Sequence, residues 1–429
     1  MAYHYSDKTL PTVIVIGGGF AGLEFVKKLN NTPFRVILID KRNYHTFQPL
    51  LYQVASAGLS ADSIGFPYRK KIGPFPNIAF RMAEVERIDP AEKQVITSVG
   101  TMQYDHLVIA TGTTTNYFGN ANLEKWGMPL KTISDALNMR SDILQEFEKS
   151  IVTETLEDKE SSLNFVIVGG GPTGVELAGA LAEIKRNVLP SDYTEIDRAL
   201  MKVVLIEAAD RLLSAMRPAS SKAAQKYLEK LGVEVKLNTI VKDYDGHKEE
   251  LLLADGSILK SDNIIWTAGV KGKNIPGLPE SAYGRGGRYL IHRTNAIQDV
   301  TDIYALGDIA LVQGDTQFPN GHPQVAQVAI QQAHQLARNF MRQLKGKPMQ
   351  PFRYKDKGSM ATIGRHKAVV DLPSFSFSGY FAWYIWMFIH LMALVGFRNR
   401  FMVFMNWMWN YFTYDKALRL IVRPYQKPN

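Results

Sequence analysis

Residues 12–29, TVIVIGGGFAGLEFVKKL, decide the fold of this chain. A run of β-branched apolar residues ends at Ile16, three glycines follow, and an apolar helical periodicity begins after Gly22. This order of strand, turn and helix is typical of a dinucleotide-binding fold. Gly17 permits the tight turn, Gly19 lets the backbone approach a pyrophosphate, and Gly22 allows helix and strand to pack closely.

An acidic residue ends the next predicted strand. That strand covers Arg35 to Ile39 and is followed directly by Asp40. A carboxylate at this place accepts hydrogen bonds from the ribose hydroxyls of a bound nucleotide. The pyrophosphate would lie against the unpaired N–H groups at the positive end of the first helix.

The same arrangement returns 152 positions later. Residues 165–179 read FVIVGGGPTGVELAG, and the following strand, Lys202 to Ile206, ends at Glu207. The carboxylate of Glu207 would repel a 2′-phosphate, so the second site is predicted to favour NADH over NADPH. The interval from Gly174 to Glu207 is long for this motif, and we expect a loop insertion at residues 187–197 to account for it. One such motif is weak evidence for a ligand, whereas two complete ones are strong evidence.

Three further segments support the pair of folds. Residues 104–112 (YDHLVIATG) and 263–270 (NIIWTAGV) are apolar strands with small residues at their ends, and residues 302–308 (DIYALGD) end in Gly-Asp. The order of these segments resembles the two-dinucleotide-binding-domain flavoproteins, the glutathione-reductase-like superfamily. The resemblance implies that the first fold binds FAD, that the second binds NAD(P)H, and that Asp308 contacts the flavin side of FAD.

Cysteine is absent from all 429 residues. This excludes disulfides, Cys-ligated zinc, iron–sulfur clusters and thiol redox relays. Within the superfamily it excludes the disulfide reductases and the sulfide:quinone oxidoreductases, which need redox cysteines. No residue cluster has metal-ligand spacing, so we predict no metal. The N-terminus lacks the features of a signal peptide.

The remaining branch that the chain resembles is type II NADH dehydrogenase, the single-subunit, non-pumping NADH:quinone oxidoreductase. Residues 43–55 (NYHTFQPLLYQVA) are similar to the family's loop beside the isoalloxazine ring. Residues 326–331 (AQVAIQ) match its AQxAxQ quinone-site motif, and an aromatic C-terminal tail completes the resemblance. The resemblance implies FAD and NADH as cofactors and a quinone, menaquinone or ubiquinone, as electron acceptor.

Gln327 and Gln331 also invite an interpretation from their spacing. They are four residues apart, so in a helix they lie on one face. Two amides on one face can donate to a quinone carbonyl and to flavin oxygens from the same side. A solvated polar face is the alternative, although the small residues Ala326 and Ala329 favour close packing against something flat.

The C-terminal tail is basic and aromatic. Residues 341–429 contain 14 Lys and Arg against 3 Asp and Glu, and four of the six tryptophans, whereas the rest of the chain has a net charge of −2. Tyr380 to Phe397 is 18 residues long with His390 as its one ionisable group, and residues 401–414 form a second apolar stretch. Both are short for a bilayer crossing. We therefore expect two helices in the membrane interface, with a transmembrane hairpin and a dimerisation surface as alternatives.

The mechanism that the resemblance implies is hydride transfer from nicotinamide C4 to flavin N5, followed by quinone reduction. It places Glu176 near nicotinamide and flavin, whereas a structural interpretation makes Glu176 a first-turn acid that complements the helix dipole. His45 and His390 are possible proton donors that we do not assign. The predicted catalytic residues are Glu176, Gln327 and Gln331.

The predicted cofactor-binding residues come from the matched motifs. For FAD they are Gly17, Gly19, Phe20, Ala21, Gly22, Asp40, Lys41, Asn43, Gln48, Ala110, Thr111, Gly112, Gly307, Asp308, Ala326 and Gln327. For NADH they are Gly169, Gly171, Pro172, Thr173, Gly174, Glu176, Glu207, Ala268 and Gly269.

The predicted architecture is α/β, with two Rossmann-like domains and a C-terminal amphipathic helical region that anchors the chain to a membrane. We expect an FAD domain at 3–119 and 293–342, an NADH domain at 120–292 and a membrane-association region at 345–429. A helical connector at 134–154 is expected before the main part of the NADH domain. The enzyme would be peripheral on the cytoplasmic face of the cell membrane, and the resemblance implies a homodimer. No nucleic-acid partner is expected.

Two rival functions share these features. One is a soluble ferredoxin- or rubredoxin-reductase-like flavoprotein, and the other is a binding protein whose partner affinity is controlled by the redox state of its flavin. Rapid reoxidation by a quinone would separate the predicted enzyme from both.

Overall fold

The two β-branched runs form the centres of two parallel sheets. The computed structural model describes residues 3–413 and 419–428. The chain forms two units, one made of residues 1–46, 66–114 and 270–356, the other of residues 47–65, 115–269 and 357–429. Each unit contains, in its described part, a five-stranded parallel sheet. The prediction of two Rossmann-like folds is thereby confirmed.

The sheet of the first unit places the first glycine motif at its centre. Its strand order is Ile303–Ala305, His106–Ile109, Thr12–Ile16, Arg35–Asp40 and Ile78–Met82, and every neighbouring pair is parallel. Smaller sheets are formed by Val85–Asp89, Gln94–Thr97 and Gly100–Gln103, and by Tyr283–Gly284, Arg288–Ile291 and Ala310–Val312. The helices are Phe20–Lys28 (the first glycine helix), Tyr68–Ile72 and Ala326–Gln343 (the glutamine helix).

Both faces of this sheet are covered, which explains its continuous apolar strands. Successive side chains point to opposite faces. Val13 and Val15 pack in the cluster that contains the buried faces of the first glycine helix and the glutamine helix. Ile14 and Ile16 pack in the cluster on the other side, with Tyr289 among its members.

The second unit repeats the design. Its sheet order is Met128–Pro129, Asn263–Trp266, Asn164–Val168, Lys202–Ile206 and Glu234–Lys236, again parallel throughout. Val241–Asp245, Glu250–Leu253 and Ile258–Lys260 form an antiparallel sheet. The helices before the C-terminal segment are Leu51–Ala55, Ala61–Ile64, Ala121–Trp126, Ile133–Val152, Leu156–Leu163, Pro172–Glu183 (the second glycine helix), Leu189–Asp192 and Pro218–Leu231.

The C-terminal segment packs within the second unit. Its strands Ser359–Thr362, Ala368–Asp371 and Ser376–Gly379 form an antiparallel sheet. Two helices follow, Tyr380–Ala393 (the first C-terminal helix) and Phe397–Thr413 (the second C-terminal helix). Asp371 fastens this sheet to the helix Pro218–Leu231, since its carboxylate accepts hydrogen bonds from Ser220 Oγ at 2.5 Å and from the N–H of Arg217 at 2.6 Å.

The boundaries of the units differ from the domain boundaries that we expected. Residues 270–292 pack with the first unit because the strand Arg288–Ile291 pairs with Ala310–Val312. Residues 47–65 and 357–429 pack with the second unit. In the predicted membrane-association region 345–429, and in the predicted stretch 401–414, residues 414–418 and 429 lie outside the described residues.

The expected loop insertion at 187–197 was wrong for its first half. The second glycine helix continues through a π-helical turn, Ile184–Val188, into the helix Leu189–Asp192. Val188 and Leu189 are buried, so this segment packs as helix before the chain leaves it. The expected connector at 134–154 is the helix Ile133–Val152, which begins with a capping box between Thr132 and Asp135.

Candidate functional site

The first glycine turn is held by the acid that ends the second strand. Asp40 Oδ2 accepts the N–H of Gly18 at 2.7 Å, and Oδ1 accepts the N–H of Arg42 at 2.8 Å. Gly17 has a φ of +95°, and a Cβ there would lie 2.5 Å from the carbonyl oxygen of Ala110. A Cβ on Gly22 would lie 1.9 Å from the Gly17 oxygen. These two glycines are therefore required by the packing of the turn itself.

Gly19 has a different environment. It precedes the first glycine helix with an ordinary φ of −65°, and a Cβ built on it meets no atom of the described residues within 4 Å. The helix start carries no side-chain cap among the described residues. An open backbone face at an uncapped helix N-terminus suits a pyrophosphate, so the turn fits the dinucleotide that the sequence predicts.

The second glycine turn reproduces these contacts. Glu207 Oε2 accepts the N–H of Gly170 at 2.6 Å, and Oε1 accepts the N–H of Ala209 at 2.8 Å. A Cβ on Gly174 would lie 1.9 Å from the oxygen of Gly169, whereas a Cβ on Gly171 meets nothing within 4 Å in the described part of the chain. The second turn thus fits a dinucleotide for the same reasons as the first.

The other residues predicted for the second site lie around this turn. Pro172 and Thr173 are exposed at the start of the second glycine helix. The nitrogen of Ala268 lies 2.7 Å from where a Cβ of Gly169 would be, and Gly269 has a φ of +80°. The strand end 267–269 is therefore brought against the turn, as the sequence order suggested.

The Gly-Asp segment of the first unit lies against the first glycine helix and the glutamine helix. A Cβ on Gly307 would lie 3.3 Å from the Cβ atoms of both Ala21 and Ala329. The N–H of Gly307 donates to Oε1 of Gln332 at 2.7 Å. Gln332 is fully buried and was missed in the sequence, where it looked like one more polar residue of an amphipathic helix. Asp308 follows Gly307 in a 3-10 turn.

The remaining residues predicted to bind FAD occupy several elements. Ala110, Thr111 and Gly112 follow the strand His106–Ile109, with Thr111 Oγ1 donating to the Lys273 carbonyl at 2.8 Å. Lys41 lies 3.7 Å from the carboxylate of Glu84, and Asn43 is exposed. Gln48 is exposed in the second unit, at the start of a 3-10 turn.

Gln327 and Gln331 lie on one face of the glutamine helix, and Ala326 is its first residue. Gln331 exchanges two hydrogen bonds with the backbone of Lys355, at 2.9 and 3.0 Å. Gln327 Nε2 donates to Asp356 Oδ1 at 3.5 Å. The two amides therefore hold the segment 355–356, a role that the sequence spacing does not reveal.

The second unit contains a cavity that is partly open to solvent and holds about 840 Å³ of empty space, which we call the aromatic cavity. The second glycine helix, the helix Leu51–Ala55 and the two C-terminal helices contribute most of its walls. Its aromatic lining is Tyr52, Trp383, Trp386, Trp407 and Tyr411, and its polar lining includes Gln53, Glu176, Glu183, Asn187, Thr362 and Asn410. Of the three predicted catalytic residues, Glu176 lines it, whereas Gln327 and Gln331 belong to the first unit.

Glu176 is the buried acid of this cavity. Its Oε1 accepts the N–H of Thr362 at 3.3 Å, and the indole N–H of Trp386 approaches the same carboxyl without reaching hydrogen-bond geometry. Burial raises the pKa of Glu176 to about 8, because desolvation outweighs these two favourable contacts. At neutral pH this carboxyl therefore carries a proton.

Comparisons with known proteins identify the family of this chain. Residues 11–333 match the pyridine nucleotide-disulphide oxidoreductase family, and residues 357–413 match the NDH2 C-terminal domain. The type II NADH:quinone oxidoreductase Ndh of Mycobacterium tuberculosis is 35% identical to this chain, over 92% of this chain and 87% of the relative. The chain belongs to the type II NADH:quinone oxidoreductase family.

Two more distant proteins of the same kind are similar. The mitochondrial internal alternative NAD(P)H-ubiquinone oxidoreductase A1 of Arabidopsis thaliana is 31% identical, over 93% of this chain and 83% of the relative. The structure of NDH2 from Plasmodium falciparum in complex with NADH has a TM-score of 0.87 at 22% identity, covering 96% of this chain and all of that one. The latter shows a shared fold. FAD and NADH are the cofactors of this protein.

Each of the two histidines considered as proton donors bonds a backbone carbonyl through Nδ1. His45 Nδ1 donates to the carbonyl of Gly18 at 2.9 Å, and burial lowers the pKa of His45. His390 Nδ1 donates to the carbonyl of Trp386 at 2.8 Å and its ring stacks on that indole. Burial lowers the pKa of His390 to about 4, so its ring is neutral. No group of three or more potential metal ligands occurs in the described ranges.

The two C-terminal helices expose many apolar residues. They hold 14 of the 25 exposed large hydrophobic residues of the described chain, including Phe388, Phe397 and Phe412. Neither these helices nor any other described helix has the length and apolar character to cross a membrane. With 14 residues, the first C-terminal helix is about 21 Å long, against about 30 Å for the hydrocarbon core of a bilayer.

Proposed function

We propose that this chain oxidises NADH and reduces a quinone, menaquinone or ubiquinone, to the quinol at a membrane surface without pumping protons. Bound FAD supplies the redox chemistry, since it accepts a hydride and passes two electrons onward. The balance is NADH, one proton and quinone giving NAD⁺ and quinol. The protein therefore has to hold two dinucleotides, to bind a flat apolar ring and to manage one proton from solvent.

The two glycine turns support the dinucleotide part of the proposal. FAD would lie on the first turn, with Asp40 at its ribose, and NADH on the second, with Glu207 at its adenosine ribose. The open faces of Gly19 and Gly171 leave room for the pyrophosphates. On this view the first unit is the FAD-binding part and the parallel sheet of the second unit is the NADH-binding part.

The observation that carries the quinone part is the aromatic cavity. Its tryptophans offer flat apolar faces on which a quinone ring stacks. Polar side chains such as Gln53, Glu176 and Asn410 also line the cavity and can meet the carbonyl oxygens of a quinone. The walls made by the C-terminal helices carry the exposed apolar residues, so an acceptor dissolved in lipid has a short route to it.

Glu176 is the proposed catalytic carboxyl. Because it is protonated at neutral pH, it can hand a proton to a reduced quinone and recover it from solvent. The family resemblance also puts this residue beside the nicotinamide. We therefore expect Glu176→Ala to slow flavin reduction by NADH in stopped flow, and an unchanged rate in a folded variant would contradict that placement.

Gln327 and Gln331 do not line the aromatic cavity, so the quinone-site role expected for them stays a separate prediction. The amide of Gln331 uses one of its two N–H groups on the Lys355 carbonyl, which leaves the second available to a ligand. The other residues of the first unit that are predicted to bind FAD, including Lys41 and Asn43, also remain proposed FAD contacts.

Membrane association rests on the exposed face of the C-terminal helices. Aromatic and methionine side chains on that face, with Arg398 and Arg400 nearby, suit an interface between headgroups and acyl chains. We place the enzyme on the cytoplasmic face of the membrane, where NADH is available, and we expect a homodimer, which light scattering in detergent would measure.

The test is anaerobic reduction of the yellow holoenzyme by NADH, followed by mixing with a short-chain menaquinone or ubiquinone. We expect bleaching by NADH and a rapid return of oxidised flavin with quinone. Ala180→Met fills the cavity from the second glycine helix and should block reoxidation by quinone while bleaching is retained. Ala91→Met on an exposed turn is the matched control.

The outcomes separate the rival functions. Bleaching without reoxidation by any quinone would support a protein acceptor or a redox-controlled binding protein instead. Reoxidation that is unaffected by Ala180→Met would keep the activity and remove the quinone from this cavity.

A further inference from the structure

A chain of hydrogen bonds runs from the second C-terminal helix into the aromatic cavity. Trp407 Nε1 donates to Gln53 Oε1 at 2.8 Å, and Gln53 Nε2 donates to the hydroxyl oxygen of Tyr52 at 2.9 Å. All three residues line the cavity. Tyr52 and Gln53 are neighbours in the short helix Leu51–Ala55, whereas Trp407 is more than 350 residues away in sequence.

The chemistry of the indole fixes the direction of these two hydrogen bonds. An indole N–H only donates, so the amide atom of Gln53 that faces Trp407 is the oxygen, and its NH₂ group faces Tyr52. The Tyr52 oxygen therefore accepts, and its own proton points elsewhere. Among the described residues, that proton has no acceptor within hydrogen-bond distance. Tyr52 thus presents a donor to the cavity.

The phenol stays protonated under working conditions. Tyr52 is buried, and desolvation, followed in size by the charge of Glu176, raises the pKa of Tyr52 well above its usual value. It is therefore a hydrogen-bond donor at neutral pH and has no role as a proton source of its own.

We propose that the Tyr52 hydroxyl donates a hydrogen bond to a carbonyl oxygen of the quinone in the aromatic cavity, and that Gln53 and Trp407 are positioning residues that orient it. The inference deepens the proposed function and rests on the quinone occupying this cavity. It also makes the second C-terminal helix, the helix with most exposed apolar residues, responsible for the orientation of the group that meets the substrate.

The experiment compares Tyr52→Phe, Gln53→Met and Trp407→Phe in the full-length FAD-loaded enzyme. Loss of one neutral hydrogen bond typically weakens binding by about fivefold. We expect Tyr52→Phe to lower kcat/KM for a short-chain quinone about five- to tenfold, chiefly through KM. Flavin reduction by NADH and turnover with ferricyanide should stay unchanged.

Two further readouts separate orientation from general disruption. Gln53→Met and Trp407→Phe should each lower kcat/KM for the quinone two- to fourfold when made alone. Neither should lower it further in the Tyr52→Phe background. The infrared carbonyl stretch of bound ¹³C-carbonyl quinone should shift to higher frequency in Tyr52→Phe. Tyr244→Phe, which removes a buried phenol that donates to the Ser261 carbonyl at 2.9 Å, and Trp126→Phe are the matched controls.

The outcomes distinguish this inference from the proposed function. If Ala180→Met blocks quinone reduction but Tyr52→Phe changes neither KM nor the carbonyl stretch, the quinone site stands and the hydrogen bond is refuted. Full additivity of Gln53→Met with Tyr52→Phe would refute the positioning role. If neither Ala180→Met nor Tyr52→Phe affects quinone reduction, the cavity itself is the wrong site.

Discussion

Glu207 Oε2 accepts the backbone N–H of Gly170 at 2.6 Å, which ties the acid that ends one strand to the glycine turn that ends its neighbour. Asp40 has the same relationship with Gly18 at 2.7 Å. Each carboxylate therefore stabilises its own turn before any nucleotide is bound. Its remaining lone pairs are available to a ribose, and its charge opposes a phosphate at the same place.

The first prediction concerns nucleotide choice. Glu207→Gln keeps the size and an acceptor for Gly170, but it removes the charge and the oxygen that accepts the N–H of Ala209. Repulsion of a 2′-phosphate therefore falls. We expect the ratio of kcat/KM for NADPH to that for NADH to rise about tenfold, equivalent to about 1.4 kcal/mol. Steady-state kinetics with both nucleotides measure it, with the exposed Glu157→Gln as control. A ratio that stays the same would show that another group sets the preference.

The second prediction uses two glycines of one turn. Gly171→Ala adds a methyl that meets no atom of residues 3–413 and 419–428 within 4 Å, so stability should be unchanged while the KM for NADH rises at least tenfold. Gly174→Ala places its Cβ 1.9 Å from the Gly169 oxygen and should lower the melting temperature sharply. Thermal unfolding and NADH titration separate the two effects. Equal destabilisation by both variants would contradict this division of roles.

The third prediction is a pH dependence. Since the folded-state pKa of Glu176 is raised to about 8 from 4.5, the folded protein holds a proton that the unfolded chain releases. The contribution of this proton to the free energy of unfolding is therefore fully present below pH 4.5. It is lost as pH rises toward 8, by up to about 1.4 kcal/mol per pH unit. Glu176→Gln should remove this loss, so the variant gains relative to wild type as pH rises. Urea unfolding at fixed FAD from pH 4.5 to 8.5 tests it, and parallel profiles would refute the raised pKa.

The fourth prediction concerns the apolar face of the C-terminal helices. Phe388 and Phe412 are 65% and 71% exposed, so replacing both with Glu should leave the fold intact. Insertion of two charges into the membrane interface should lower co-sedimentation with anionic phospholipid vesicles at least tenfold. Val99→Glu, at a site that is 62% exposed outside these helices, should bind like wild type. Undiminished sedimentation of the double variant would move the membrane contact elsewhere.

The fifth prediction concerns the end of the chain. Lys427 Nζ lies 2.8 Å from Glu146 Oε1 and 3.0 Å from Asp262 Oδ1, beside the buried Asp142. Burial raises the pKa of Asp142 to about 7 even though Lys427 opposes this. Lys149 Nζ also lies 2.8 Å from Asp262 and 3.6 Å from Glu146, so Lys427→Gln removes one of two lysines that balance these acids. We expect it to cost about 3 kcal/mol of unfolding free energy at pH 8, chiefly through the buried Asp142.

A pH series provides the check on that fifth prediction. The cost should shrink at pH 5, below the raised pKa of Asp142, where that carboxyl is protonated and no longer needs the lysine charge. The exposed Lys222→Gln should have little effect at either pH. A cost that is the same at pH 5 and pH 8 would show that packing of the lysine stem, not its charge, is what matters.

The sequence by itself determined the two glycine turns, the acids behind them and the family. These features are close in sequence: the acid lies 22 residues after the turn residue that it binds in the first motif and 37 residues after it in the second. The positive φ at Gly17 and the close approach at Gly22 are properties of the turn itself, so the order of residues displays them. The absence of cysteine also excluded disulfides and thiol redox relays.

Only the tertiary structure decided what surrounds Glu176. The aromatic cavity combines the helix Leu51–Ala55, the second glycine helix and the C-terminal helices, and no periodicity predicts which distant segments will meet. The same holds for the buried Gln332, for the contact of Gln331 with Lys355, and for the pairing of Trp407 with Gln53. A pKa shift depends on desolvation, and the direction of a hydrogen bond depends on its partners. Desolvation and these partners are both set only when the chain has packed.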